Sequence, residues 1–477
     1  MFKKVKIVIA AFAFFVFTQN EAIAQFSVDK NNFPLPKPQQ FAWQQAEFGV
    51  IFHYDLHVFD TSKYNQTHNR ITPIADYNIF NPSKLNVEQW VLSAKNAGAT
   101  FALITATHET GFALFQSDVN PYCMKALKWK DGKGDIVKDF VDACRKYNIK
   151  PGIYLGIRWN SFFGVHDFKV NGEGQQQKNR QQYYNAMVEG MVKEICTRYG
   201  PLFEIWFDGG AGNPLKGAPD VLPIVEKYQP NALFYWNAQR ADARWGGSET
   251  GTVGYPCWTT FPYRSTSSEE YPQINLNDNY LLKHGDSGGK YWMTAMADAP
   301  LRGYNRRHEW FWEPGDESHI FPVEDLVNMY YQSVGRNATL ILGLTPDNTG
   351  SIPGADADTL KSFGEEIENR FSHPIAETNG KGNPLFIKLK KATDINQVII
   401  REDISKGERI RKYKVEGLVN RKWKLLCSGS SVGNKRIQMF KKITSKKIRL
   451  TITESVAQPQ ISSFELFNVA FDNTIRN

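Results

Sequence analysis

Gly200-Pro201-Leu202-Phe203-Glu204-Ile205-Trp206-Phe207-Asp208-Gly209-Gly210 is an apolar run that ends in an acid and is released at once by two glycines. If the run is a strand of a parallel barrel, Asp208 sits at its C-terminal end, where the βα loops build a concave site. The bland alternative is an aspartate that caps a helix. A second acid, Glu249, follows in the Gly-rich stretch Ala243-Arg244-Trp245-Gly246-Gly247-Ser248-Glu249-Thr250-Gly251, past the Tyr235-Trp236 run and on the same expected face. Alone it reads as an exposed loop glutamate; beside Asp208, with Arg244 and Trp245 flanking it, it reads as a proton donor. Two carboxyl groups across a glycosidic bond, one as nucleophile and one as acid/base, suffice for retaining hydrolysis when held ~5 Å apart. Asp208 is expected to stay ionised, and Glu249, against the Trp245 ring, to be kept protonated by desolvation.

A third cluster, Thr105-Ala106-Thr107-His108-Glu109-Thr110-Gly111-Phe112, directly follows another apolar run, and His53 ends the first such run. Two imidazoles at successive strand tips suit hydrogen bonding to sugar hydroxyls. Metal binding with Glu109 or Asp55 is the alternative, but no H-E-x-x-H or close His pair supports it. Trp206, Trp245 and Trp258 supply aromatic faces for the same expected pocket.

These side chains need a scaffold that brings distant segments to one face. Phe48–His53, Thr100–Ala106, Ile149–Leu155, Leu202–Phe207, Ala232–Trp236 and Ala338–Leu342 are short apolar runs. Between several of them lie amphipathic stretches, Asn86–Ala97, Asp135–Tyr147 and Tyr183–Tyr199. Apolar strands alternating with helices predict parallel strands buried on both faces. A doubly wound sheet is the competing topology, but no Gly-rich phosphate turn follows the first strand. The expected fold class is therefore α/β, a (β/α)8-like barrel over 25–345. Gly343–Asp358 reads as a linker with a short helix, Thr359–Phe371, after it, so 346–380 joins the barrel to a second domain. From Leu385 the apolar period becomes two, as in Leu385-Phe386-Ile387-Lys388-Leu389 and Lys447-Ile448-Arg449-Leu450, which predicts a small β-sandwich over 381–477.

The chain has 477 residues, 42% hydrophobic, 13% aromatic and 22% charged. That composition excludes long disorder, a collagen repeat and a disulfide scaffold. Lys3, Lys4 and Lys6, the apolar stretch Ile7–Phe17 and Ala22-Ile23-Ala24 read as a secretory signal peptide over 1–24. The mature chain is then expected to begin at Gln25, exported to a periplasm or secreted, with no membrane span. Residues 381–477 hold 21 Lys and Arg against 8 Asp and Glu. A basic balance of this kind can serve nucleic acid or an anionic polymer; here it is read as solvated strand faces, because the cations alternate with apolar residues. The five cysteines are widely spaced with no C-x-x-C pair, so buried free thiols are expected and a zinc site is not.

Taken in order, these segments resemble the α-L-fucosidases, glycoside hydrolase family 29. Glu47–His53 is similar to that family's F-G-x-F-x-H-W-G, and Ile104–Phe112 to its T-A-K-H-H-D-G-F. Gly132-Lys133-Gly134-Asp135-Ile136-Val137 matches its G-x-G-D-x-V turn. Tyr199–Gly209 resembles Y-G-x-x-x-x-x-W-F-D-G, whose aspartate is the nucleophile. Arg244–Glu249 resembles the R-W-x-G-N-E of the subgroup acting on α-1,3/4-linked fucose, whose glutamate is the acid/base. The resemblance implies Asp208 and Glu249 in those roles, sugar contacts from His53, His108 and Glu109, and Tyr154 near the sugar. It also implies a discoidin-like C-terminal sandwich. Two triplets depart from the pattern: His53-Tyr54-Asp55 stands for His-Trp-Gly, and His108-Glu109-Thr110 for His-His-Asp.

The expected activity is exo-acting removal of terminal α-linked fucose from a fucosylated oligosaccharide or glycoconjugate, with no cofactor and no nucleic-acid partner. At this level two other readings stay open, a retaining exo-glycosidase of another specificity such as α-galactoside, and a catalytically silent glycan-binding protein on the same fold.

Overall fold

A computed structural model describes residues 33–60, 65–307 and 310–470. The expected signal peptide, 1–24, lies outside them. No helix among the described residues is long and apolar enough to cross a membrane.

The apolar runs become strands β1 (Phe48–Phe52), β2 (Phe101–Thr107), β3 (Lys150–Leu155), β4 (Glu204–Phe207), β5 (Leu233–Phe234), β6 (Ala243–Trp245), β7 (Thr294–Pro300) and β8 (Thr339–Leu344). They form one parallel sheet in the order β5-β4-β3-β2-β1-β8-β7-β6, with Phe48 opposite Leu340 and Gly49 opposite Phe101. The sheet curls into a nearly closed barrel. Its seam lies between β5 and β6, spanned by the Trp236–Ala241 bridge and by a hydrogen bond from Asp242 N to Phe234 O of 3.2 Å. Two of these strands, β6 and β7, were not among the expected ones. The alanine-rich Thr294-Ala295-Met296-Ala297-Asp298-Ala299-Pro300 lacks the β-branched residues that mark a strand locally.

Side chains alternate across each strand. One set, including Ile51, Leu103, Tyr154, Trp206, Tyr235, Ala243, Met296 and Ile341, fills the barrel interior around Trp43. The other packs under the helices in a larger apolar layer. Helix α1 (Pro38–Ala46) closes the N-terminal end, and its Trp43 indole donates to the buried Glu204 carboxylate at 2.7 Å.

Helices α2 (Val87–Asn96) and α3 (Ile136–Lys146) match the expected stretches less their caps. Asn86 accepts from Gln89 N at 3.0 Å and Asp135 from Lys138 N at 2.8 Å, and Ile136, Phe140, Val141 and Cys144 of α3 are buried. Then come α4 (Gly174–Arg198), α5 (Leu222–Tyr228), α6 (Val323–Gln332) and α7 (Gly354–Phe371). The expected linker is smaller than its composition implied: Gly343 lies in β8 and α7 begins at Gly354. Asp356 in its first turn is buried and pairs with the equally buried Arg302 at 2.6 Å, which ties this segment to the barrel.

The C-terminal part is one antiparallel sheet of β9 (Ala376–Gly380), β10 (Leu385–Glu402), β11 (Ile410–Val419), β12 (Lys422–Gly429), β13 (Arg436–Ser455) and β14 (Ile461–Phe467), ordered β9-β14-β10-β13-β11-β12. Register shifts within the long β10–β13 pairing let the sheet curve around its own core, which includes Ile395, Val398, Val415, Ile448 and Phe464. Polar ties fasten it to the barrel: Glu47 holds Lys435 at 2.6 Å and also Arg401, and Glu408 accepts from Thr259 N at 2.9 Å and Asn337 Nδ2 at 2.6 Å. All five cysteines are free, four of them buried.

Candidate active site

Period-two alternation aims the ends of the barrel strands. Because Ile51, Trp206 and Met296 point into the barrel, His53, Asp208 and Asp298 two residues further on point the same way, into the C-terminal mouth. There they line a cavity of 890 Å³ together with His108, Tyr154 and Glu249. That volume is within the ~300–1,000 Å³ usual for small-molecule sites. The turn after Asp208 is tight: Gly209 and Gly210 take φ of +62° and +84°, and a Cβ on Gly210 would stand 2.6 Å from the Trp236 ring. Glycine is required there both by conformation and by room.

Asp208 and Glu249 are both half-buried and open to this cavity. Burial, reinforced by the negative charges of Glu109 and Glu249, raises the Asp208 carboxyl above its ordinary value; a hydrogen bond with Tyr154 and the Arg70 guanidinium oppose that rise. Glu249 Oε2 accepts from Trp310 Nε1 at 3.0 Å. The loop bearing Glu249 follows β6, so β5 stands between the strand that carries Asp208 and the one that leads to Glu249. The two acids therefore come from strands one further apart than the sequence reading placed them.

A third carboxyl shares the mouth. Asp298 is 5% exposed, and its Oδ1 accepts from Trp245 Nε1 at 3.0 Å. Burial, then the charge of Glu249, pushes it well above the usual carboxylate range. Sequence reasoning missed Asp298 along with its strand; the available signal was an acid two residues before the proline that ends the run. Trp310 was also missed, and the aromatic cluster Trp310-Phe311-Trp312 marked it.

The imidazoles are buried and face one another at 6.0 Å between ring centroids, with Trp310 5.0 Å from His53 and Tyr154 stacked 5.6 Å from His108. Burial, then the neighbouring His108, holds His53 well below its ordinary value, while burial and Arg70 lower His108 to about 3. Both rings are neutral across the physiological range and suited to hydrogen bonding.

Other expected residues lie elsewhere. Since Ala243 and Trp245 face the interior, Arg244 between them faces outward; it is fully buried, donating to Leu282 O at 2.9 Å and Trp258 O at 2.8 Å. It braces the loops behind the cavity and does not line it. Trp258 does not line the cavity either: it is buried at the junction with the C-terminal sheet, 4.8 Å from the Arg411 guanidinium. Glu109 is set one layer back, holding Arg70 Nε at 2.6 Å, and it is Arg70 that reaches the cavity. Trp206 and Trp245 line it.

The two departures from the family pattern meet in space. Thr110 Oγ1 donates to Asp55 Oδ1 at 2.7 Å and lies 2.9 Å from Oδ2, and burial raises Asp55 to about 7. Asp55, His57 and His108 form a buried group whose candidate ligand atoms lie within 4.8 Å of one another, the described residues best suited to hold a metal ion. Asp55 already accepts from Leu56 N and Thr110, and His57 Nδ1 lies 2.6 Å from Asn69 Nδ2.

The chain is similar to known proteins over most of its length. The alpha-L-fucosidase family model matches residues 15–369. A Bacteroides thetaiotaomicron protein solved as a candidate alpha-L-fucosidase is 58% identical, with a TM-score of 0.90 over 92% of this chain and 100% of that one. Alpha-L-fucosidase 1 of Arabidopsis thaliana is 28% identical over 93% of this chain and 89% of its own length. A Ruminococcus gnavus glycoside hydrolase family 29 fucosidase solved with fucose shares the fold, with 23% identity and a TM-score of 0.74 over 92% of this chain and 95% of that one.

Proposed function

This chain belongs to the alpha-L-fucosidase family of glycoside hydrolases, and from that premise we propose that it is an exported, exo-acting enzyme that removes terminal α-1,3- or α-1,4-linked fucose from glycans with retention of configuration. The observation that carries the proposal is the opening of Asp208 and Glu249 into one cavity, each carboxyl hydrogen-bonded to an aromatic residue, Tyr154 and Trp310 respectively.

In this mechanism an Asp208 oxygen attacks the anomeric carbon while Glu249 gives its proton to the departing glycosidic oxygen, which leaves as an alcohol. Water then enters, Glu249 takes its proton, and the resulting hydroxide displaces Asp208 from the anomeric carbon, so two inversions return the original configuration. Attack needs the carboxylate form of Asp208, and the Tyr154 hydrogen bond and the Arg70 charge favour that form against burial. His53 and His108, neutral and at the cavity wall, bond the sugar hydroxyls without adding charge. Trp206 and Trp245 cover the apolar faces of the rings. Glu109 assists from behind by holding Arg70. The linkage assignment rests on the Arg244–Glu249 motif.

The test compares hydrolysis of aryl α-L-fucoside with aryl α-galactoside, follows the anomer first released by proton NMR, and sets α-1,3/4- against α-1,2-linked fucosyl oligosaccharides. Initial release of α-L-fucose with preference for the 1,3/4 linkage is expected. Initial β-fucose would overturn the retaining mechanism, and preference for the 1,2 linkage would overturn the specificity.

A further inference from the structure

The cations of the C-terminal sheet are not spread over it. Segments 385–395, 412–426 and 440–450 hold 13 Lys and Arg against two Asp and Glu. The side-chain ties to the barrel come from other positions, and four of these are cations themselves: Arg401, Arg411, Lys435 and Arg436, beside neutral or acidic groups such as Glu408 and Asn434. Most of the positive charge, 13 of the 21 Lys and Arg of 381–477, is thus gathered in segments away from these ties.

Strand alternation places part of this charge on one face. Ile387, Val415, Ile448 and Leu450 point into the sheet's own core, so Phe386, Lys388, Lys447 and Arg449 point outward. Phe386 pairs with Arg449 across β10 and β13, and Lys388 with Lys447. Two aromatic rings are set among these cations. Lys447 Nζ is 4.4 Å from the Phe386 centroid, the Arg449 guanidinium is 4.3 Å from that of Trp423, and the two rings are 6.1 Å apart. Glu416 is already paired, with Arg449 at 2.8 Å and Lys414 at 3.3 Å. The face therefore presents a net positive field and flat aromatic surface together.

We propose that this face docks an acidic polysaccharide, one whose sugar rings carry sulfate or carboxylate groups. The cations neutralise the acid groups while Phe386 and Trp423 meet the apolar C–H faces of the rings. The ligand class rests on the glycosidase reading above: a barrel that works on glycans, joined to a sheet with charge complementary to an anionic glycan, would be held on a polymer whose fucose branches it trims.

The experiment titrates the full chain with chondroitin sulfate, at low and at several-fold higher salt, against uncharged dextran, a DNA duplex of matched charge and anionic phospholipid vesicles. Chondroitin sulfate binding that weakens roughly tenfold or more with salt, and likewise in Lys388→Glu/Lys447→Glu, is expected. Trp423→Ala should weaken it roughly threefold without weakening any DNA binding. Absence of binding, indifference to the charge reversal, or tighter binding of DNA or vesicles would each overturn the proposal. The salt dependence of the unaltered chain decides even if a variant fails to fold. Aryl fucoside hydrolysis, read in parallel, reports on the catalytic proposal alone: a chain that binds chondroitin sulfate but cleaves no fucoside would sink only the latter.

Discussion

At the barrel mouth three carboxyl groups, Asp208, Glu249 and Asp298, share a walled cavity with two imidazoles, whereas the far part of the C-terminal sheet exposes its cations to solvent on strands. The same Coulomb interaction does different things in the two places. At ~4 Å it is worth about 4 kcal/mol at an effective dielectric of about 20, and inside the mouth that, added to burial, shifts which groups hold protons. On an exposed strand a single pair contributes about 0–1 kcal/mol, so the sheet's charges matter only as a summed field. Crowded, enclosed charge makes acid–base chemistry; spread, solvated charge makes a docking surface.

The largest test of the contrast removes the enclosed charge itself. Asp208→Gly should lower turnover of an aryl α-L-fucoside on the order of 10⁴-fold or more, with the circular dichroism spectrum unchanged and azide restoring turnover as fucosyl azide. Near-normal turnover would take Asp208 out of the nucleophile role. Next comes Glu249→Ala, for which we predict a loss of ~10²–10⁴-fold on substrates with poor leaving groups and far less on activated aryl fucosides. Equal losses on both would exclude general acid catalysis by Glu249.

A smaller effect distinguishes charge from shape. Burial and the charge of Glu249 push the Asp298 carboxyl well above the usual carboxylate range, which favours its neutral form, so Asp298→Asn, which can still accept from Trp245, should retain kcat/KM within about threefold. Asp298→Ala loses that bond and should cost roughly tenfold. A large loss in the Asn variant would mean that the ionised form of Asp298 is needed.

The smallest effect is on stability. His108, lowered to about 3, favours the folded chain in its neutral form, so its contribution is complete above pH 6.5 and is lost as pH falls from there towards 3. Glu204, raised to about 8 by burial, has the opposite sign: its contribution is complete below pH 4.5 and is lost as pH rises through 8. We predict that Tm declines on both sides of a maximum near pH 6, by at most a few kcal/mol of stability on each, and that Glu204→Gln flattens the alkaline side. An unchanged alkaline slope in that variant would show that another group sets it.

Much of the barrel was legible because its signals are local. Phe101–Ile104 is an uninterrupted apolar start to its strand, Asp135 caps the helix whose buried stripe follows, and two glycines after Asp208 mark a strand end. What escaped lacked a local mark. The alanine-rich β7 carries no strand-forming residues, and its Asp298 went with it. The linker composition of Gly343–Asp358 hid a helix start secured by Asp356 and a distant arginine, Arg302.

By itself the sequence determined the alternation of strands and helices, the acids at strand ends and the basic balance of the C-terminal part, since each depends on neighbours along the chain. Only the tertiary structure decided which strand ends share a mouth: that Arg244 turns its back on the cavity its neighbour Trp245 lines, that Glu109 works through Arg70, and that Asp55 and Thr110, far apart in sequence, bond to each other. Those outcomes depend on the curvature and register of a closing sheet, in which a side chain's surroundings are supplied by residues tens of positions away or more.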